Sequence, residues 1–112
     1  MDCVFCKIVS GEIPSKKAYE DDKVLAFFDL EPQAPVHILI IPKEHIESVD
    51  RVNSQNSQII GYIFEIAAKL AKEFGLSKGY RIVSNCGEDG GQTVGHLHFH
   101  LLGGRFMQWP PG

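Results

Sequence analysis

An apolar stripe with helical spacing runs through the middle of the chain, from residue 57 to residue 74. Its members recur every three or four residues, the interval that places side chains on one face of an α-helix. They are Ile59, Ile60, Ile63, Ile66, Ala67 and Leu70. Gly75 follows where a left-handed residue commonly ends a helix, and Asn53 or Ser54 could cap the start. The pattern predicts one long helix with a single buried face.

Short segments rich in β-branched and aromatic residues lie on both sides of this helix, and they predict strands. Their ranges are 17–20, 24–29, 37–41, 80–84 and 93–102. Asp21 and Asp22 form a turn signal between the first two, which indicates a hairpin. Residues 3–8 predict a short N-terminal helix. Strands before and after one long helix, joined by hairpin-like links, predict an α+β fold with a mainly antiparallel sheet.

The composition is that of an ordinary globular domain, and it excludes several classes of function. The chain has 112 residues, enough for a single domain over 1–112, and 44% of them are hydrophobic. Its formal net charge of -3 removes the main driving force for non-specific binding to nucleic acid. It contains no apolar run of about 20 residues, and its first residues do not form a secretory signal. We therefore expect a cytoplasmic protein that binds neither nucleic acid nor membranes.

Three of the five histidines alternate along the last predicted strand. Successive side chains of a strand point to opposite faces, so His96, His98 and His100 share one face. The residues between them share the other face, which can pack on the core. They are Leu97, Phe99 and Leu101. The pattern predicts an amphipathic strand whose polar face consists of imidazoles.

Three interpretations of this imidazole face are open at this point. In the first, each histidine is an ordinary exposed or hydrogen-bonded residue. In the second, one metal ion binds all three. A rise of about 3.3 Å per residue separates the Cβ atoms of His96 and His100 by roughly 13 Å, so these two cannot share a zinc ion that lies about 2.1 Å from each nitrogen. In the third, a neutral imidazole attacks phosphorus while a neighbouring histidine positions the leaving group or relays protons.

A glycine-rich turn precedes the histidines, over residues 85–93. Glycines allow backbone N–H groups to approach phosphate oxygens closely. Asn85 and Thr93, at its two ends, can donate further hydrogen bonds. No lysine follows the glycines in the manner of a Walker loop, so the turn does not predict a nucleotide triphosphatase. A turn of this kind beside the imidazoles favours chemistry at phosphorus.

The segment His96-Leu97-His98-Phe99-His100-Leu101-Leu102 matches the His-x-His-x-His-x-x motif, with apolar x, of the histidine triad (HIT) family. Further segments along nearly the whole chain resemble the Hint branch of that family. They are Phe5-Cys6-Lys7-Ile8, Glu12-Ile13-Pro14, Pro32-Gln33-Ala34-Pro35, Lys78-Gly79-Tyr80-Arg81, Asp89-Gly90-Gly91-Gln92 and the tail over 103–112. The resemblance implies a HIT-like α+β fold, a homodimer with two nucleotide sites, and hydrolysis of purine nucleoside phosphoramidates, such as adenosine monophosphate joined to an amine.

The resemblance also implies catalytic roles. The middle histidine of the family motif is the nucleophile, here His98, which would form a nucleotidyl-histidine and lose it to water. His100 matches the third histidine of the motif, which contacts the phosphate or the leaving group. His37 matches a fourth active-site histidine. No catalytic cofactor is implied.

A set of substrate-binding residues follows from the same resemblance. Asp29 matches the acidic residue that binds ribose hydroxyls, and Asn85 matches a partner of the phosphate. Three residues of the glycine-rich turn also belong to this set: Gly91, Gln92 and Thr93, the last in a position where serine is more frequent. The apolar walls around the base correspond to Phe5, Ile8, Phe27 and Leu30. Trp109 matches a tail residue that lies near the partner subunit's site.

Two cysteines near the start of the chain, Cys3 and Cys6, form a Cys-x-x-Cys pair. Free thiols are one interpretation, and a thioredoxin-like redox pair is another, although the βαβ context of the latter is missing. Two thiols are too few for a tetrahedral zinc site, which takes four nitrogen or sulfur ligands. Several HIT proteins similar to this chain carry such a pair with two histidines, at positions that match His45 and His96. This resemblance implies a structural zinc ion, which would give His96 a role distinct from that of His98.

Two other functions stay open at the level of the sequence. A related enzyme that cleaves dinucleoside polyphosphates would use the same motif, although the tail over 103–112 resembles Hint proteins. A nucleotide-binding or protein-partner module would carry the motif with incidental activity. A metalloenzyme is a more distant alternative.

Overall fold

Five strands pair into one antiparallel sheet in a computed structural model that describes residues 3–112. The strands are β1 (Lys17–Glu20), β2 (Val24–Phe28), β3 (Val36–Pro42), β4 (Tyr80–Val83) and β5 (Phe99–Gly103). Their order across the sheet is β1-β2-β3-β5-β4, and each neighbouring pair is antiparallel. The β-branched and aromatic runs supply the central strands β2 and β3, because such side chains fill a pleated surface well.

Two α-helices and one short 3-10 turn complete the described part of the chain. They are α1 (Val4–Ser10), the 3-10 turn (Val49–Arg51) and α2 (Ser57–Glu73). α1 begins after Cys3, whose Sγ accepts a hydrogen bond from the N–H of Cys6 at 3.3 Å. It ends at Gly11, which has a left-handed φ of 88° that glycine adopts without a steric penalty.

The long helix predicted over residues 57–74 is confirmed as α2. The residues of its buried face are Ile63, Ile66, Ala67, Leu70 and Ala71. The predicted cap residue differs, because Asn56 occupies the N-cap position, and its side chain makes no hydrogen bond to the first N–H groups of the helix. Asn53 instead shapes the preceding turn, where its Oδ1 accepts the N–H of Gln55 at 2.8 Å. Among residues 3–112, no helix has both the length and the apolar character of a membrane span.

The sheet is covered on both faces by different layers. One face packs against α2 and contributes Val24, Ala26, Ile38 and Ile40 to that core. The opposite face packs against the α1 region and contributes Leu25, Phe27, Leu39 and Ile41. Because both faces of β2 and β3 are buried, their sequences are continuously apolar rather than alternating. The predicted α+β architecture, with one long helix and a short N-terminal helix, is confirmed.

The last strand is shorter than the prediction of 93–102, because it begins only at Phe99. The pairing of β5 with β3 runs from Gly103 opposite Val36 to Phe99 opposite Ile40. Continued pairing would bring Leu97 opposite Pro42, which has no N–H to donate to the ladder. Leu97 N–H instead bonds the carbonyl of Ile46 at 2.6 Å. Two histidines of the motif, His96 and His98, therefore lie in the irregular segment that enters β5.

The alternation of faces predicted for this segment nevertheless persists through the irregular part. Leu97, Phe99 and Leu101 are buried in the core that contains α2. The rings of His96 and His98 both contact the ring of Phe5 on the α1 side, with centroids 6.0 and 5.1 Å away. The histidines therefore share the α1 side of the sheet.

Candidate active site

His37 and His100 come together because they lie on the neighbouring strands β3 and β5. His37 Nε2 is 2.8 Å from His100 Nδ1, and the N–H of Gln33 donates to His37 Nδ1 at 3.0 Å. A backbone N–H can only donate, so Nδ1 of neutral His37 carries no proton and Nε2 carries it. His37 therefore donates to His100 Nδ1, which leaves the proton of neutral His100 on Nε2.

His100 Nε2 is buried and has no hydrogen-bond partner among residues 3–112. Burial lowers the pKa of His100 to about 4, with smaller contributions from His98 and His37 and an opposing one from Asp29. Burial also lowers the pKa of His37, although the Asp29 carboxylate, 3.4 Å from its Nε2, opposes this shift. Both imidazoles are thus neutral at about pH 7, and His100 keeps one unused N–H donor.

His98 lies immediately before β5, and only 5% of its surface is exposed. Its Nδ1 is 2.7 Å from the carbonyl oxygen of His96. Because a carbonyl can only accept, Nδ1 holds the proton of the neutral imidazole and Nε2 holds the free lone pair. The centroid of the His98 ring lies 5.1 Å from that of His100. The His98 nitrogen with the free lone pair therefore belongs to a ring that neighbours an imidazole with an unused N–H donor.

Three of the four apolar residues that the resemblance assigned to the base pack into one cluster. The rings of Phe5 and Phe27 meet edge to face with centroids 5.4 Å apart, and half-buried Ile8 packs on the same cluster. Leu30 differs from these residues, because 95% of it is exposed beyond the end of β2. Trp109, in the C-terminal tail, is 81% exposed. The side chains of Leu30 and Trp109 are therefore accessible to a ligand or to another protein chain.

The side chain of Gln92 holds the glycine-rich turn together. Its Oε1 accepts the N–H of Gly87 at 3.0 Å, and its Nε2 donates to the carbonyl oxygens of Glu47 and Val94, each at 2.9 Å. Its own N–H donates to the carbonyl of Gly87 at 3.0 Å. Because the donors of Gln92 are used in these hydrogen bonds, its role in this structure is to stabilise the conformation of the turn.

Close packing inside this turn explains its glycines. A Cβ atom at Gly90 would lie only 2.7 Å from the backbone nitrogen of Cys86. Gly91 has a left-handed φ of 77°, which strains any residue with a side chain. Asn85 is half-buried at one end of the turn, and Thr93 is exposed at the other. Thr93 is thus an exposed residue at the end of the turn.

A second cluster joins α1 to the segment that enters β5. The Sγ atoms of Cys3 and Cys6 and one ring nitrogen each of His45 and His96 lie within 4.8 Å of one another. Cys3 Sγ is 3.3 Å from His96 Nδ1, and Cys6 Sγ is 3.3 Å from His45 Nδ1. The two Nδ1 atoms are 3.2 Å apart. The structure therefore brings together the four residues that the resemblance implied.

This donor set fits a tetrahedral zinc ion. With Zn–S about 2.3 Å and Zn–N about 2.1 Å, neighbouring ligands of a tetrahedron lie roughly 3.4–3.8 Å apart. Four of the six separations run from 3.2 Å between the histidines to 3.6 Å between Cys6 Sγ and His96 Nδ1, and all six are within 4.8 Å. His96 Nε2 donates to the carbonyl of Pro42 at 2.8 Å, so Nδ1 carries no proton and can bind a metal. Burial also lowers the pKa of His96, which favours the neutral ligand.

The depressed pKa of His100 predicts a loss of stability in mild acid. Its pKa is about 4 in the folded chain, against about 6.5 in an unfolded one. The contribution of neutral His100 to the free energy of unfolding is therefore complete above about pH 6.5. It disappears as the pH falls towards 4, for a total of roughly 2–3 kcal/mol. Urea unfolding of wild type and His100→Gln between these pH values measures it. The variant should show the shallower dependence, and equal slopes would contradict the assignment.

The fold and the four histidines define the histidine triad class, and the chain belongs to this family. The model of the HIT domain family matches residues 10–107. The chain is 51% identical over 111 residues to a 14 kDa zinc-binding protein from Zea mays, covering 97% of this chain and 87% of that protein. It is 50% identical over 111 residues to the adenylylsulfatase HINT1 from Arabidopsis thaliana, covering 97% of this chain and 76% of that protein.

Solved structures agree with this assignment. A HIT family hydrolase from Legionella pneumophila Philadelphia 1 superposes with a TM-score of 0.97 at 53% sequence identity, covering 99% of this chain and 100% of that one. A HIT family hydrolase from Clostridium thermocellum gives a TM-score of 0.93 at 54% identity, over 96% of this chain and 94% of that one. The resemblance to the HIT family noted in the sequence is therefore confirmed.

Three backbone groups of the site were missed by the sequence interpretation. The Gln33 N–H, the Pro42 carbonyl and the His96 carbonyl fix the proton positions of His37, His96 and His98, respectively. Backbone groups are present at every residue, so no sequence pattern distinguishes those that orient a side chain.

Proposed function

We propose that the protein hydrolyses purine nucleoside phosphoramidates through a covalent nucleotidyl-histidine at His98. The observation that carries the proposal is the 2.7 Å contact between His98 Nδ1 and the His96 carbonyl, which leaves the Nε2 lone pair free. Neutral imidazole is nucleophilic near neutral pH. The unpartnered N–H of His100 supplies a donor for a phosphate oxygen or for the leaving group.

The reaction has two displacements at phosphorus. His98 Nε2 attacks and forms a P–N bond, while the P–N bond to the leaving amine breaks and the amine takes up a proton. Water then attacks the same phosphorus, the bond to His98 breaks, and the nucleoside monophosphate is released. The amine takes its proton from the solvent in the first displacement, and the attacking water returns one proton to the solvent in the second. The sum is one water molecule consumed, with a hydroxyl gained by phosphorus and a hydrogen gained by the amine. His100 stays neutral and donates a hydrogen bond during both displacements, and His37 holds the proton of His100 on Nε2.

The same proposal assigns the surrounding residues to the rest of the nucleotide. Asp29 binds the ribose hydroxyls, and the edge-to-face pair of Phe5 and Phe27 lines the base with Ile8 and Leu30. Asn85, Thr93 and the turn that contains Gly91 and Gln92 bind the phosphate. The name of the relative from Arabidopsis thaliana, adenylylsulfatase HINT1, denotes a protein that acts on an adenylyl group, which supports a purine nucleotide substrate.

We also propose that a zinc ion occupies the cluster of Cys3, Cys6, His45 and His96. Burial, together with Cys3, raises the pKa of the Cys6 thiol, so the thiolate needs a nearby cation. The relatives named 14 kDa zinc-binding protein, from Zea mays and Brassica juncea, support this choice of metal. The ion would be structural, because four protein ligands complete its tetrahedron and leave no position for substrate.

A homodimer completes the proposal. Phe106 and Trp109, in the C-terminal tail, are 85% and 81% exposed. A dimer interface would cover these two large apolar side chains. In the dimer, Trp109 would lie near the site of the partner subunit.

A comparison of two substrates separates the proposal from its nearest alternative. We expect kcat/KM for an adenylated amine to exceed that for a diadenosine polyphosphate by about tenfold or more at equal concentrations, a difference of about 1.4 kcal/mol in transition-state binding. Product release followed by chromatography measures both. The reverse order would favour the dinucleoside polyphosphate hydrolase. Tight binding of purine nucleotide without turnover of either substrate would favour a binding module.

A further inference from the structure

We propose that Arg105 is a positioning residue that fixes the proton of His37 on Nε2 and, through His37, the proton of His100. Its effect on turnover rests on the proposed function, but its effect on the two imidazoles does not. Arg105 is exposed and follows β5. It belongs neither to the family motif nor to the predicted site residues.

The link begins with the loop between β2 and β3. Arg105 Nε donates to the carbonyl oxygen of Gln33 at 3.0 Å. The N–H of the same residue, Gln33, donates to His37 Nδ1 at 3.0 Å. Another guanidinium nitrogen of Arg105 donates to the carbonyl of Phe106 at 3.2 Å, which holds the side chain against its own backbone. Both polar backbone groups of Gln33 are thus hydrogen-bonded, the carbonyl to Arg105 and the N–H to His37.

A second contact holds the same loop against the end of β5. A Cβ atom built at Gly104 would lie 2.9 Å from Pro35 Cβ, so the proline packs directly on the glycine backbone. Gly103 pairs with Val36 at the end of the sheet. The segment from Gly103 to Arg105 therefore anchors the loop at two separate points, Pro35 and Gln33.

Loss of the anchor has a defined chemical consequence. If the Gln33 N–H moves away, Nδ1 of His37 can carry the proton, and Nε2 becomes an acceptor. His100 must then donate from Nδ1, and its Nε2 becomes an acceptor that repels phosphate oxygens. The Asp29 carboxylate, 3.4 Å from His37 Nε2, still favours the proton on Nε2. The loss should therefore produce a mixture of the two tautomers rather than a full exchange.

Nuclear magnetic resonance can detect the Arg105–Gln33 and Gln33–His37 hydrogen bonds through their effects on amide exchange and on the histidine tautomers, without any substrate. In wild type, the ¹⁵N shifts should show His37 and His100 protonated on Nε2, and the amide of Gln33 should exchange slowly. In Arg105→Gln, we expect a measurable fraction of the Nδ1-protonated form and Gln33 exchange that is about fivefold faster or more. Arg51→Gln, the same change at an exposed arginine of the 3-10 turn, should match wild type. Unchanged tautomers and unchanged Gln33 exchange in Arg105→Gln would overturn the proposal.

A double-mutant cycle tests whether Arg105 acts through His37. We expect Arg105→Gln to lower kcat about 3- to 10-fold with little change in KM, as for one lost hydrogen bond. In the background of His37→Gln, the same substitution should have almost no further effect, because the intermediate link is gone. Effects that multiply fully would refute an action through His37. If His98→Ala retained wild-type turnover, the proposed function would fail, while the magnetic resonance result would still decide the role of Arg105.

Discussion

His98→Ala is expected to lower kcat for an adenylated amine by about 10³- to 10⁴-fold or more, the usual cost of removing a nucleophile. The physical reason is the distribution of protons in the site. His98 Nε2 is a free lone pair because Nδ1 donates to the His96 carbonyl, whereas His100 Nε2 carries a proton and its Nδ1 accepts from His37. Neither nitrogen of His100 can replace the nucleophile. Single-turnover kinetics with the protein in excess over substrate measure the chemical step directly.

The control for this variant is its structure and its affinity for nucleotide. The His98 ring contacts the Phe5 ring, so the alanine variant must first be shown to keep the wild-type fold and to bind adenosine monophosphate. A rate within about threefold of wild type in a folded, nucleotide-binding variant would rule out His98 as the nucleophile.

Loss of the metal cluster should produce the largest change in stability. Cys6→Ala is expected to lose bound zinc and to lower the free energy of unfolding by about 3–4 kcal/mol when free zinc exceeds its dissociation constant by about 10²- to 10³-fold. The reason is that the cluster ties α1 to the segment entering β5, and a metal that binds only the folded chain stabilises it by mass action. Elemental analysis gives the zinc content, and urea unfolding with and without zinc gives the stability.

Cys86→Ala is the matched control, because Cys86 is the one cysteine of the sequence outside this cluster. It should retain about one zinc ion per chain, since four ligands complete one tetrahedral site. Wild-type protein that is purified without chelator and contains no zinc would contradict the metal proposal. So would a Cys6→Ala variant with the same zinc-dependent stability as wild type.

The sequence predicted most of the architecture because its periodic signals are strong. The spacing from Ile59 to Leu70 placed α2 to within one residue at its C-terminal end. The apolar runs and the Asp21-Asp22 turn placed the β1–β2 hairpin and β3. Alternation of histidine with apolar residues placed Leu97 and His98 on opposite faces, with Leu97 on the face that can pack on the core, even though the strand itself starts later.

The features of the fold and the site that the sequence could not predict depend on individual contacts between distant segments. Pro42 ends the ladder opposite Leu97, and this shortens β5, yet the pairing of two distant segments is not visible in either one alone. The proton positions on the histidines depend on the Gln33 N–H and on two carbonyl groups. The assembly of Cys3 and Cys6 with His96, about ninety residues later, was inferred from the resemblance, because a Cys-x-x-Cys pair alone does not specify its partners.

Detection of the covalent intermediate tests the central claim most directly. The protein is mixed with an adenylated amine in a rapid-quench apparatus, denatured in base, digested and analysed by mass spectrometry. We predict a transient adenylyl group on the peptide that contains residues 96–100, attached at His98 and absent from the His98→Ala variant. Complete turnover in a single-turnover experiment without any adenylylated His98 at any quench time would contradict the account.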